Sequence, residues 1–374
     1  MSFLKSLSLI KAGAIIILFS SCQATKNFTA LDLDQRTINS IDSICLLQLN
    51  NEHYPGLAIA VAEKGNRVWS KGYGFSDLEN KRPIDAKDDL FRIGSISKTV
   101  TACALARLKE RKIVSLDVPI SNYYHECPSD KDSITLRQLG GHLAGIRHYN
   151  GLEFLSNIHY TTIKDAMEVF IHDSLLFEPG TKYSYSTYGW TLISEVMQDA
   201  SGTPFTEIIR DEVSRPLKLA DLKPDFSDSI HFQRVQFYEF QNDHHSISPQ
   251  VDLSNKWAGG GYLCSAEDLV KFGYAVSDPG YLKASTLEEF TTPQALSDGK
   301  LTDYGIGFRV NKVENEPLWY GHSGGSVGGT SMLLIYPVED IIIVTLVNLS
   351  GAKMDDLAMK IADIVRASNG KQKR

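Results

Sequence analysis

The chain has 374 residues, 43% hydrophobic and 22% charged, ample for a large core in one large or two interwoven domains. A net charge of −7, with Lys and Arg scattered along the chain, leaves no electrostatic footprint for nucleic acid. The sequence shows no internal repeat, low-complexity tract or zinc-type cysteine spacing, which sets aside solenoid, disordered and zinc-scaffold architectures.

The chain opens with a targeting pattern. Lys5 and Lys11 supply positive charge, and residues 12–19 form an apolar run too short for an ordinary spanning helix. Phe19-Ser20-Ser21-Cys22 then has the form of a bacterial lipoprotein cleavage box, with Cys22 as the residue to be lipidated. A short uncleaved anchor or a simple secretory signal are the alternatives, and each exports the working domain. The expectation is a membrane-anchored lipoprotein of the periplasm or cell envelope: signal peptide 1–22, tether 23–33, folded domain 34–370. Cys45, Cys103, Cys127 and Cys264 are too few for a disulfide scaffold in a chain this large. Cys103 and Cys264 lie in apolar surroundings and read as small hydrophobes.

Residues 34–50 carry Ile38, Ile41, Ile44, Cys45 and Leu49 at helical spacing. Two strands follow at 56–61 and 67–72, joined by a turn at 63–66. The run after Ser95, to Ala106, reads as a buried helix. From about 115 to 255 the pattern turns helical and loop-rich, with helices predicted at 134–139, 162–175, 191–198 and 205–213. His244-His245, beside a polar segment, reads as loop rather than a metal site. Ala258-Gly259-Gly260-Gly261 marks close backbone approach, and 267–276 returns as helix. The last third is strand-rich, at 305–310, 318–322, 331–336 and 341–347, and closes with an amphipathic helix over 354–367. The fold class is α+β: an antiparallel sheet built from both chain ends, flanked by helices, with a mainly helical insert and an active site between them.

S-x-x-K occurs six times, starting at Ser2, Ser8, Ser95, Ser297, Ser350 and Ser368, so the motif alone means little. Only the copy at Ser95 opens a long apolar helix. Ser95 and Lys98 share one face of its first turn, where the helix dipole favours a serine alkoxide. A serine needs an adjacent base, and a desolvated lysine serves. The alternative is a helix-capping serine beside a lysine that reaches solvent. Two more stretches are rich in chemistry. Residues 179–190 are dense in hydroxyls, and Tyr185 is suited to relay a proton, although aromatic packing at a helix start explains it too. Residues 321–330, Gly-rich around His322, let a substrate lie close to bare N–H groups, or form a simple turn with a surface histidine.

A serine in S-x-x-K, a tyrosine motif, then a strand bearing H-[ST]-G resembles the penicillin-recognising, β-lactamase-related serine hydrolases. This family includes class C β-lactamases, D-alanyl-D-alanine carboxypeptidases and esterases. Residues 91–99, 141–149, 185–190 and 256–261 are especially similar to its mitochondrial serine β-lactamase-like protease branch, and the likeness runs from about 40 to 366. The resemblance implies the β-lactamase/transpeptidase-like fold and a Ser95 acyl-enzyme. Lys98 and Tyr185 would share general base and acid, and the backbone N–H groups of Ser95 and Gly325 would form an oxyanion hole. His322 and Ser323 would hold a substrate carboxylate or help move the proton, with Gly324 and Thr187 lining the site. It implies no metal or organic cofactor, and a peptide, peptidoglycan-like or ester substrate. Thr187 stands where many members have asparagine, and His322 where β-lactamases have lysine, so a peptidase or esterase is expected rather than an efficient β-lactamase. The alternative from another class is a binding or scaffold lipoprotein that kept the fold and lost turnover.

Overall fold

The computed structural model describes residues 28–372, apart from 64–66, 230–231 and 314–315. The signal-peptide segment, Cys22 and residues 64–66 of the expected turn lie outside the described residues. Among the described residues no helix is long and apolar enough to cross a membrane.

The central sheet is assembled from both chain ends, as expected. Its main strands are β1 (Gly56–Glu63), β2 (Arg67–Asp77), β3 (Arg309–Val313), β4 (Glu316–Ser326), β5 (Gly329–Tyr336) and β6 (Ile341–Val347). They lie antiparallel in the order β2-β1-β6-β5-β4-β3, so the first strand and the last are central neighbours, with Ala60 opposite Val344. Thr29–Ala30 adds in parallel beside Arg67 and Val68, and Leu31 and Leu33 are buried. The end of the segment expected to be a tether is therefore part of the folded body.

Side-chain alternation divides the core in two. Leu57, Ile59 and Val61 of β1, with Ile341, Ile343 and Val347 of β6, pack on one face against two helices. These are α1 (Gln35–Asn51) and the C-terminal helix Asp355–Gln372, and they bring Ile41, Cys45, Leu357, Ile361 and Val365. The N-terminus of α1 is capped by Asp34, whose carboxylate accepts the N–H groups of Arg36 and Thr37. Ala58, Ala60, Ile342, Val344 and Leu346 face the other way, toward the helical body. That body contains α2 (Ile96–Glu110), α3 (Tyr188–Ser201), α4 (Trp257–Gly260) and α5 (Ala266–Val276). Cys103 and Cys264 are buried free thiols in it.

Several boundaries differ from the sequence expectation. The helix expected over 162–175 is the single segment Ile163–Met167, after which Met167 O accepts from both Phe170 and Ile171, and Arg147 takes the Val169 carbonyl. The helix expected over 205–213 continues past Ile209 as a π-helical turn, Arg210–Ser214. His244 and His245 sit in a two-strand hairpin rather than a loop, turning through Asn242 and Asp243 at φ 52° and 56°. The strand expected from 305 begins only at Arg309. Gly307 has φ 76°, and a Cβ there would lie 2.6 Å from Ala102 of α2, so the chain crosses the helix before it enters the sheet.

One buried ion pair ties the sheet end to the start of α2. Arg92 Nε meets Asp225 at 2.7 Å, Arg92 Nη1 donates to the Val327 carbonyl at 2.8 Å, and the guanidinium lies 4.2 Å from the Phe237 ring centroid. Breaking such a pair leaves a buried charge uncompensated. Asp225→Asn is therefore expected to cost about 3–5 kcal/mol, read as a lower urea midpoint at unchanged m-value.

Candidate active site

α2 is buried along almost its whole length, and its polar residues knit it to three neighbouring segments. Ser97 Oγ accepts from the Tyr262 N–H, Thr99 donates to Gly307 O, and Thr101 donates to Ala258 O. The helix follows a left-handed turn at Gly94, φ 49°, where a Cβ would come within 2.7 Å of Gly325 N. That close approach sets the end of β4 beside Ser95. Ser95 makes no side-chain capping bond, and Lys98 is 0% exposed. The capping serine with a solvent-seeking lysine is thereby excluded.

Lys98 Nζ has three neighbours: Ser95 Oγ at 3.0 Å, Thr187 Oγ1 at 3.1 Å and Gly259 O at 2.6 Å. None is a carboxylate. Burial, reinforced by the charges of Arg309 and Lys256, holds its pKa well below that of an ordinary lysine. A neutral amine has two N–H groups and one lone pair. The Gly259 carbonyl can only accept, so it takes one N–H; with the other donated to Thr187, the lone pair would face the Ser95 O–H.

Tyr185 lies beside this pair, with Lys98 Nζ 4.8 Å from its ring centroid. Burial raises its pKa, while hydrogen bonding to Ser95 and the charge of Arg309 offset part of the effect. Tyr185 is therefore a phenol, a proton donor rather than a resting phenolate.

His322 sits at the end of the sheet beside these groups. It is buried, its Nδ1–H donates to Ser323 O, and its Nε2 accepts from Tyr304 at 2.8 Å. Burial holds its pKa well below 6.5. Both ring nitrogens are engaged and the ring is neutral, so it offers no charge to a substrate carboxylate. Gly324 also faces packing: a Cβ there would lie 2.1 Å from Ile93 O. Gly325 is exposed, and a Cβ there would meet nothing. Ser95, Thr187, Gly259, Gly325 and Ser326 line a cavity of about 100 Å3, together with Lys256, Tyr149 and Phe154. A larger groove of about 1010 Å3 runs along Tyr185 and Tyr304 and is flanked by Lys182, Lys300, Arg309 and Lys312.

The reading of the sequence missed Tyr304, Lys256 and the contact of Thr187 with Lys98. Lys256 had a signal, since it precedes the glycine run. It is 3% exposed, donates to Phe154 O at 3.0 Å, and burial lowers its pKa to about 8. Among the described residues no group of His, Cys, Asp and Glu is arranged to hold a metal ion.

A serine with a buried, unpaired lysine at the start of a helix, set between a mixed sheet and a helical body, defines a β-lactamase/transpeptidase-like hydrolase fold. The Beta-lactamase family model matches residues 41–366, and the chain belongs to that family of serine β-lactamase-related hydrolases. It is 27% identical over 416 aligned positions to the mitochondrial serine beta-lactamase-like protein LACTB of Homo sapiens, covering 82% of this chain and 76% of that protein. It is 23% identical to penicillin-binding protein 4* of Bacillus subtilis (strain 168), covering 77% of this chain and 67% of that one. A D-amino acid amidase from Ochrobactrum anthropi SV3, complexed with L-phenylalanine, superposes with a TM-score of 0.77 at 20% identity, over 90% of this chain and 100% of the other.

A lowered lysine pKa has a pH signature. Lys98 acts as a base only when deprotonated, so modification of Ser95 by a fluorophosphonate should rise with pH through the lowered pKa. It should level off well below 10.5, the usual lysine value. A rate that climbs through 10.5 would contradict this. Thr187→Val, which keeps shape but removes one acceptor of the amine, should slow modification by about tenfold.

Proposed function

We propose that this protein hydrolyses amide, peptide or ester bonds through a Ser95 acyl-enzyme, and that it is peptidase-like rather than an efficient β-lactamase. The observation that carries the reading is the three-neighbour environment of Lys98, which leaves a lone pair for the Ser95 proton.

In acylation, Ser95 Oγ attacks the carbonyl carbon as its proton passes to Lys98. The backbone N–H groups of Ser95 and Gly325 would stabilise the oxyanion. Tyr185 gives its proton to the departing amine or alkoxide and recovers one from Lys98, so the leaving group departs neutral. Water then attacks the ester, and the same groups return the protons in reverse.

The preference against penicillins rests on charge. β-Lactamases of this family usually carry lysine at the His322 position, and here that position holds a neutral, enclosed ring. The relative named D-amino acid amidase supports an amide, peptide-like substrate. On the same footing, residues 1–22 are proposed to direct export with a lipid on Cys22, supported by the Lys-flanked apolar run and the Ser-Ser-Cys box. Metabolic labelling with palmitate, lost in Cys22→Ser, is the expected outcome, and labelling that persists would reject it.

The test of the activity compares kcat/KM for D-phenylalanine amide and p-nitrophenyl acetate with that for benzylpenicillin. Hydrolysis of one or both of the first two should exceed that of the penicillin by at least about tenfold and vanish in Ser95→Ala. Penicillin as the best of the three would overturn the preference.

A further inference from the structure

His142 is buried, and neither its backbone nor its ring is in an ordinary state. Its φ is 63°, in the left-handed region that side-chain-bearing residues rarely adopt. Its Nε2 is buried without a hydrogen-bond partner. Strain and an unsatisfied buried polar atom at one residue mark a position held for function rather than for stability.

What His142 touches shows which function. Its carbonyl accepts the Ser184 N–H at 3.0 Å, and its ring Nδ1 accepts the Ser186 N–H at 3.1 Å. The residue between those two donors is Tyr185. The His142 ring also packs on the Tyr185 ring at 4.3 Å between centroids, and on Tyr304 at 4.6 Å. The same segment fixes the next residues: His148 Nδ1 accepts from Thr187 N–H at 3.2 Å, and Arg147 O accepts from Ser186 Oγ at 2.7 Å. Because Nδ1 must accept, the proton of the neutral ring sits on Nε2, among the aromatic faces. Burial keeps the ring neutral, so the acceptor persists.

We infer that His142 is a positioning residue for the reaction. Its carbonyl and Nδ1 clamp the backbone on both sides of Tyr185, and its ring sets the face of the phenol, so that Tyr185 meets the leaving group. This rests on the reading of Tyr185 as the proton donor.

The experiment uses the full chain and two esters that differ in how much they need that proton. p-Nitrophenyl acetate releases a stable anion and needs little help, whereas phenyl acetate releases a more basic one. Tyr185→Phe defines the signature of a lost donor. His142→Ala should copy it, losing at least about tenfold more on phenyl acetate than on p-nitrophenyl acetate. A purely structural role scales both rates by one factor, because unfolded protein hydrolyses neither. His142→Asn supplies a side-chain oxygen near the Nδ1 position and tolerates positive φ, so it should bring the ratio back to within about threefold of wild type. Equal losses on both esters in His142→Ala would overturn the inference. So would an Asn variant that behaves like Tyr185→Phe, which remains decisive if the Ala variant does not fold. Failure of the underlying reading looks different: the wild-type chain would then show no Ser95-dependent hydrolysis of either ester.

Discussion

The structure turns on a lysine amine that is removed from water and given no negative partner. A buried ammonium is costly unless a carboxylate or several acceptors hold it, and Lys98 has two hydroxyls and one carbonyl. With no carboxylate among them, burial lowers the pKa of the amine well below that of an ordinary lysine. Every surrounding element serves that outcome. The small residues of α2 let the chain cross close to it, as Gly307 does over Ala102. Gly259, whose absent side chain would strike Thr187, brings its carbonyl within reach of the amine.

The same burial acts in opposite directions on the neighbouring groups, and that opposition divides the work. Desolvation lowers the pKa of Lys98 and raises that of Tyr185, which favours the uncharged form of each. His142, His148 and His322 are all held neutral by burial, with His148 down to about 4. Each uses a ring nitrogen as an acceptor, from Ser186, Thr187 and Tyr304 respectively. The histidines of this site thus act as fixed hydrogen-bond acceptors that shape the tyrosine turn and the β4 strand.

Much of this was legible in the chain. The two-residue alternation of β1 and the apolar run of β6 announce a sheet shared by both ends, and the apolar stretch after Ser95 singles out one S-x-x-K among six. The orientation of His322 was not legible, because it depends on Tyr304, in a loop that leaves its expected strand to cross α2 at Gly307. Nor was the contact of Thr187 with Lys98, which joins residues 89 apart along the chain. Spacing within a motif conveys which side chains share a helical turn. It carries no information on which loop closes over them. The short helix at Ile163–Met167 has the same cause, since Arg147 takes a carbonyl that a longer helix would use for itself.

The central claim is that Ser95, activated by a neutral Lys98, forms a covalent acyl intermediate. Its most direct test is intact-mass spectrometry of the protein quenched with acid during turnover of p-nitrophenyl acetate, with peptide mapping of the adduct. The account predicts one acetyl group on Ser95, absent in Ser95→Ala and formed far more slowly in Lys98→Met. Turnover with no adduct and an undiminished rate in Ser95→Ala, or an acetyl group carried instead by Lys256, would contradict it.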